Sequence, residues 1–293
     1  MSFIENNNIF VGGHIGFSKS LLPTLNNAVN NHMNTVQFFL GNPKSFTRQR
    51  LSETDILECN KCSKTNQLNV FSHYPYTSSL LGSVATLAWD GNEEQDRKTK
   101  LILSELEFEL NTLSKISDVN GVVIHPGSYK NRIQGLETIA KSINTINFDE
   151  NATLLLENSA GEGTKLPKDL KEMAKIFENI DSSKKNNVKC CIDTAHIWGS
   201  GIYNLQQKDE IDKLFHDFDK EIGLDKFGLL HLNDSAVPFK SKKDRHECLC
   251  NGYIWKEDAE SLKYLITKCG ENNIPIVLET PNVIHDLITI DSF

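Results

Sequence analysis

The stretch V-K-C-C-I-D-T-A-H-I-W-G-S-G, Val188 to Gly201, decides the fold. Its apolar run from Val188 to Ile192 reads as a buried strand. The run stops at Asp193, and His196 follows three residues later. A Gly-Ser-Gly turn, Gly199 to Gly201, is then expected to break any regular element. A carboxylate and an imidazole three apart, just past a buried strand, suit a divalent metal: hard oxygen beside borderline nitrogen. The plain alternative is an aspartate capping the next helix, with a core histidine nearby.

Working outward, short apolar runs alternate with helix-length amphipathic segments. Further strands are expected from Ile9 to Ile15, Thr35 to Leu40, Asn69 to His73, Gly121 to His125, Thr153 to Glu157, Phe227 to Asn233 and Pro275 to Glu279. Helices are expected near 19 to 31, 52 to 66, 95 to 117, 132 to 146, 167 to 180, 206 to 221 and 256 to 272. A short last one should run from Val283 to Ile290. Eight unbroken strand-helix units predict an α/β fold, a parallel (β/α)8 TIM barrel. No linker, repeat or low-complexity tract divides the chain, so residues 1–293 are expected to form one domain.

The polar residues that close those strands carry the functional argument. His73, His125, Glu157, Asp193 with His196 beyond, His231 with Asn233 and Asp234, and Glu279 stand at six consecutive strand ends. In a barrel these ends meet on one face, where active sites lie. Any one of them has an ordinary structural explanation, but six together point to a metal site. The loop from Asn233 to His246 is too long for a plain connector. Its Asp244 and His246 share one side of an extended segment and with His196 could hold a further ion. Cys59 and Cys62 resemble half a zinc ribbon, but no second pair follows and their spacing suits one helix face, so they read as structural. Cys248 and Cys250 read as bystanders, Cys190 and Cys191 as small hydrophobes in a strand. Gly161 and Gly163 resemble a phosphate loop only loosely.

Composition sets the outer bounds. The chain has 293 residues, 39% hydrophobic and 24% charged, ordinary for a soluble globular protein. No stretch approaches the roughly 18 apolar residues of a membrane span, and Met1 to Asn8 lacks a signal-peptide core. Seven cysteines without disulfide-scaffold density fit a reducing, intracellular setting, with cytoplasm and nucleus undivided. A net charge of −8 argues weakly against a nucleic-acid partner, but bound cations would offset most of it.

These residues resemble the endonuclease IV family of zinc-dependent apurinic/apyrimidinic (AP) endonucleases. The likeness runs from G-G-H-I-G at 12 to 16 to L-E-T at 278 to 280. Its most specific pieces are L-E-N-S-A-G-E-G at 156 to 163, C-I-D-T-A-H at 191 to 196, H-L-N-D at 231 to 234 and D-R-H at 244 to 246. The resemblance implies three Zn2+ per chain, with Mn2+ possible at one site. His73, His125 and a bridging Glu157 would hold one ion, and Glu157, Asp193, His231 and Glu279 a second. His196, Asp244 and His246 would hold the third. It implies hydrolysis of the phosphodiester 5′ to an abasic site, leaving a 3′-hydroxyl and a 5′-deoxyribose phosphate, with 3′-phosphodiesterase activity besides. Glu279 would orient or deprotonate the attacking water, with Glu157 the other catalytic carboxylate. The implied partner is double-stranded DNA carrying abasic sites or blocked 3′ ends, the chain acting as a monomer. Tyr76 and Lys44 stand where inserting residues are expected, and Arg245 of D-R-H is a further DNA contact. The chain departs from the family at Ala236, where many members carry lysine. It also departs at Glu247, Cys248, Cys250 and Asn251, which replace a small, glycine-containing stretch beside the third ion.

Two other readings compete. A metal-dependent sugar isomerase or epimerase on a related barrel would explain Glu157, Asp193, His231 and Glu279 but not the set at 196, 244 and 246. A non-catalytic DNA-lesion binder would have no need of Glu157 and Glu279.

Overall fold

A computed structural model describes residues 3–17, 20–76, 78, 80, 93–257 and 259–293. Residue 19, where the first long helix is expected to begin, and residue 258, near the start of the one expected at 256 to 272, lie outside the described residues. Eight strands close a barrel: β1 Val11–His14, β2 Thr35–Phe38, β3 Asn69–His73, β4 Asn120–Ile124, β5 Leu154–Glu157, β6 Val188–Asp193, β7 Phe227–His231 and β8 Ile276–Leu278. Every neighbouring pair is parallel, and β1 closes the ring by pairing with both β2 and β8. The TIM barrel expected from the alternating pattern is the fold observed.

Each strand leads into a helix on the outside: Leu21–Asn30, Glu53–Asn66, Glu93–Leu113, Arg132–Thr145, Leu170–Glu178, Lys208–Glu221, Glu260–Glu271 and Val283–Asp291. Several start where a polar side chain accepts an otherwise unpartnered backbone N–H. Ser52 does so in a reciprocal box with Asp55, and Asn131, Asp169 and Asn282 do so singly. The apolar stripe of these helices and the outward residues of the strands form one large buried layer. Among the described residues no helix is long and apolar enough to cross a membrane.

One expectation is corrected here. Gly199 to Gly201 does not break the chain at its first glycine: a helix runs Thr194–Ser200 and closes at Gly201, which is left-handed at φ 73°. Position 199 within this helix holds glycine because there is no room for a side chain. A Cβ there would lie 2.9 Å from the Lys243 carbonyl oxygen and 3.1 Å from the Ala160 side chain.

Inside the barrel a second, smaller core contains one residue from each of six strands: Phe71, Val123, Leu155, Cys191, Leu229 and Val277. Leu155 fills space that two glycines leave open. A Cβ on Gly121 or on Gly228 would come within 2.6 Å of its methyl carbons. Because strand side chains alternate with period two, the residue two further along each strand faces the same interior, one level nearer the mouth. That spacing positions the site.

Leu155→Ala removes the centre of this plug and leaves a cavity between rigid strands. It should cost about 2–5 kcal/mol of unfolding free energy, read as a lower urea midpoint. An unchanged midpoint would show that the inner layer is not close-packed.

Candidate metal centre

Two residues beyond each member of the inner core stands a residue able to ligate metal: His73 after Phe71, His125 after Val123, Glu157 after Leu155, Asp193 after Cys191, His231 after Leu229 and Glu279 after Val277. His73, Glu157, Asp193 and His231 are the last residues of their strands, and His125 and Glu279 are the first past theirs. His196 enters from the helix that follows β6. Asp244 and His246 come from the long loop after β7. A short antiparallel ribbon closes that loop, Ser235 opposite His246 and Asp234 opposite Glu247. Asp234 faces away from the mouth and binds the backbone N–H groups of Gly252 and Ile254, which pins the ribbon.

Glu157 lies at the centre. Its Oε2 is 3.2 Å from His73 Nε2 and 3.3 Å from His125 Nδ1, while Oε1 is 3.5 Å from His231 Nδ1. His231 Nδ1 is also 3.2 Å from Glu279 Oε2 and 3.9 Å from Asp193 Oδ2. Asp244 lies between two imidazoles, 3.2 Å from His196 Nε2 and 3.2 Å from His246 Nε2. Asp193 Oδ2 is 3.5 Å from the same His246 nitrogen. Three groups have ligand atoms within 4.8 Å of one another: His73, His125 and Glu157; Glu157, Asp193, His231 and Glu279; and Asp193, His196 and His246. All nine residues singled out in the sequence are brought together. Asp193 faces both the second and the third group.

Asp193 caps the helix, as the plain alternative has it, and still turns one oxygen to the cluster. Its Oδ1 accepts the His196 backbone N–H at 2.9 Å and so caps the helix, leaving Oδ2 for the cluster.

Four of the five histidines are oriented as metal-binding imidazoles are, one ring nitrogen meeting a neutral group and the other facing carboxylates, although His196 Nδ1 also lies 3.3 Å from Glu157 Oε1. His73 Nδ1 meets the Tyr74 carbonyl at 2.8 Å, His196 Nδ1 the Asn158 carbonyl at 2.8 Å and His231 Nε2 the Gln37 amide oxygen at 2.9 Å. His246 Nδ1 lies 3.3 Å from the Glu279 carbonyl. His231 Nδ1 and His246 Nε2 are buried and lack a hydrogen-bond partner. Buried nitrogens that face carboxylates without a hydrogen bond are a donor set suited to a cation. The residues fit zinc.

The electrostatics tell the same story. Burial disfavours charge on His196, yet Asp193, Asp244 and Glu157 outweigh it and carry its pKa up to about 10. His246 is likewise desolvated, but Asp193, Asp244 and Glu279 raise it to about 9. His231 is also raised, and Glu157 and Glu279 are held well below the usual carboxylate range, against burial, by the surrounding histidines. His125 differs: desolvation and its neighbours His73 and His196 hold it down at about 4, although part of its side chain faces the cleft. Four carboxylates in one buried spot thus draw protons onto imidazoles, and divalent cations at the same points would displace them.

Above the cluster lies an open cleft of about 320 Å³, lined by Tyr76 and Arg245 besides seven of the nine. Tyr76 stands at its edge, 62% exposed, its ring centroid 5.3 Å from that of His73. Lys44 is exposed in a turn outside the cleft lining, its N–H held by Asn42 Oδ1. Buried Arg48 shapes that turn by donating to the carbonyls of Asn42, Ser45 and Phe46.

The structure adds Gln37 and Asn158, which the strand-end pattern did not single out, and gives a positioning role to Asn233, which it did. Gln37 on β2 joins two of the nine, donating to Glu279 Oε1 at 2.7 Å and meeting His231 Nε2 with its oxygen. Asn158 receives the Asp193 N–H at 2.8 Å, and Asn233 binds Asp193 Oδ2 at 2.7 Å while accepting the Glu279 N–H at 2.9 Å. For these two the available signals were a glutamine inside an apolar strand and an asparagine directly after Glu157.

The sequence matches, over residues 25–285, the family described as the xylose isomerase-like TIM barrel. The chain is 33% identical to a probable endonuclease 4 of Clostridium beijerinckii over 277 residues, 93% of this chain and 92% of that protein. It is 32% identical to a probable endonuclease 4 of Clostridium botulinum over 276 residues, again 93% and 92%. This chain belongs to the endonuclease IV family. A crystal structure of endonuclease IV from Thermus thermophilus agrees in fold, with a TM-score of 0.78 at 23% identity, covering 96% of this chain and 97% of that one.

Asn233→Ala would leave the Glu279 N–H without its acceptor and Asp193 Oδ2 without its amide donor. Stripped of metal, the variant should lose about 1–3 kcal/mol of stability, measured by chemical denaturation. Coincident curves would mean that these bonds do not hold the mouth in shape.

Proposed function

We propose that this chain is a zinc-dependent AP endonuclease that hydrolyses the phosphodiester 5′ to an abasic site in duplex DNA, leaving a 3′-hydroxyl and a 5′-deoxyribose phosphate. The same centre removes blocks from 3′ ends. The observation that carries the reading is the convergence of nine donors, from six strands, one helix and one loop, on a single open mouth. His73, His125 and Glu157 would hold one ion, Glu157, Asp193, His231 and Glu279 a second, and His196, Asp244 and His246 the third, with Asp193 able to lean toward either of the last two. One site accommodates Mn2+ as well as Zn2+. When bound, such ions lower the pKa of water, neutralise the phosphate and stabilise the departing 3′-oxygen.

The chain's own groups do the rest. Glu279, held at Oε1 by Gln37, presents a carboxylate at the cleft wall, placed to orient the attacking water and accept its proton. Glu157 bridges the first two sets. Three divalent cations, if held there, would outweigh the four carboxylates of Glu157, Asp193, Asp244 and Glu279 and suit an anionic phosphodiester. Tyr76 offers an exposed ring to fill the gap of a flipped abasic nucleotide, which has no base to unstack. Lys44 inserts from its turn or meets a phosphate, and Arg245 at the cleft wall meets the backbone. The chain works as a single-domain monomer. A sugar isomerase would leave His196, Asp244 and His246 without a task.

A duplex oligonucleotide with one tetrahydrofuran abasic analogue tests this, because that analogue cannot undergo β-elimination. The protein should cut just 5′ to the lesion, lose the activity on metal stripping and regain it with zinc. Glu279→Gln should slow incision about 10²–10⁴-fold. A folded, zinc-loaded chain that leaves the strand intact would sink the proposal.

A further inference from the structure

Gln37 is wholly buried, and its partner across the sheet, Phe71, belongs to the apolar inner core. An amide in such a layer is costly unless its polar atoms are bonded, and each of these is. Nε2 donates to Glu279 Oε1 at 2.7 Å and to His14 Nδ1 at 3.0 Å, while Oε1 lies 2.9 Å from His231 Nε2. His14 stands beside Gln37 in the register of β1 and β2, and its Nδ1 is 3.5 Å from the same Glu279 oxygen. Its ring packs 4.6 Å from that of Phe39. Side chains from β1, β7 and the end of β8 thus meet at one amide of β2.

The donors and acceptors fit together in one way. A carboxylate only accepts, so the amide nitrogen of Gln37 faces Glu279 and its oxygen faces His231. An amide oxygen also only accepts, so His231 Nε2 carries a hydrogen whether the ring is neutral or charged. In the neutral ring the free lone pair then lies on Nδ1. That nitrogen lacks a hydrogen-bond partner and faces Glu279 Oε2 at 3.2 Å, Glu157 Oε1 at 3.5 Å and Asp193 Oδ2 at 3.9 Å. The second N–H of the amide needs an acceptor of its own, and His14 Nδ1 supplies it. With both hydrogens and the oxygen engaged, the amide cannot turn over without losing bonds at every one of its partners.

We propose that Gln37 is a positioning residue that selects the His231 tautomer presenting Nδ1 to the second ion set, and that His14 locks the amide in the orientation this requires. The same amide occupies Glu279 Oε1 and leaves Oε2 beside His231 Nδ1. The inference rests on the zinc-centre reading and deepens it. Neither Gln37 nor His14 ligates an ion here; both act through the two ligands they hold.

The test compares the zinc-loaded wild type with Gln37→Met, which neither donates nor accepts in the amide's place, and with Gln37→Glu, which keeps only the acceptor. Zinc affinity is read by competition with a chelator, and the His231 ring by proton–nitrogen correlation of histidine-labelled protein. Gln37→Met should weaken one ion of the three by about 10–100-fold and abolish the slowly exchanging His231 Nε2–H signal. Gln37→Glu should keep that signal yet slow incision of the tetrahydrofuran duplex about 10–100-fold in kcat, with KM little changed, because Glu279 loses a donor and gains a like charge. His14→Ala should weaken the same ion, and His14→Asn, whose Oδ1 can stand in for Nδ1, should restore it. An unchanged His231 signal and unchanged affinities in Gln37→Met would overturn the proposal. So would equal weakening of all three ions in both Gln37 variants, since the amide would then only be filling the barrel. A wild type that holds three zincs, loses one through Gln37→Met and never cuts the duplex would refute the AP-endonuclease reading and leave the role of Gln37 standing.

Discussion

The two-residue period of a β-strand is the constraint on which the site depends. Phe71, Val123, Leu155, Cys191, Leu229 and Val277 pack into one buried cluster inside the barrel. Their identity is set by hydrophobic burial. The same pleat then presents His73, His125, Glu157, Asp193, His231 and Glu279 one level higher, on walls whose spacing the packed layer has already determined. The apolar plug and the polar mouth are consecutive layers of one structure. A one-residue slip in any strand would exchange an inner residue for an outer one and remove a donor from the cluster.

Such a mouth is costly without counter-charge. Buried carboxylates repel one another, and the histidines answer by holding protons more tightly, His196 up to about 10 and His246 to about 9. Neutral acceptors around the rim, the carbonyls of Tyr74 and Asn158 and the amide of Gln37, take the far nitrogen of three imidazoles and fix which nitrogen points inward. Asp193 shows how economically the parts are used. One oxygen starts the helix that carries His196, and the other faces the cluster.

Much of this was legible in the sequence, because strand ends announce themselves when an apolar run stops at His, Glu or Asp. The barrel and six of the nine residues followed from that signal, His196, Asp244 and His246 from their spacing past a strand and in the long loop, and the family from motifs such as C-I-D-T-A-H and D-R-H. What lay hidden depended on three-dimensional neighbours. Gln37 sits in an expected strand, but its link between Glu279 and His231, residues from two other strands, is visible only once the ring is closed. Gly199 read as a breaker, although its purpose is clearance for Lys243 within a helix that continues to Ser200. How the loop at 240 to 245 is seated was hidden, because the glycines that receive it, Gly199 and Gly201, are some 40 residues away in sequence. Lys44 was placed by analogy alone, and its turn owes its shape to Arg48, a buried cation that no local pattern marked.

The central claim is that the nine side chains at this mouth form one centre for three ions. Anomalous diffraction at the zinc edge, from crystals of the protein purified without chelator, tests it most directly. Three peaks are expected, one among His73, His125 and Glu157, one among Glu157, Asp193, His231 and Glu279, and one beside His196, Asp244 and His246. Full occupancy of only one or two positions in zinc-saturated crystals, with His196 and His246 bound to no metal, would contradict it.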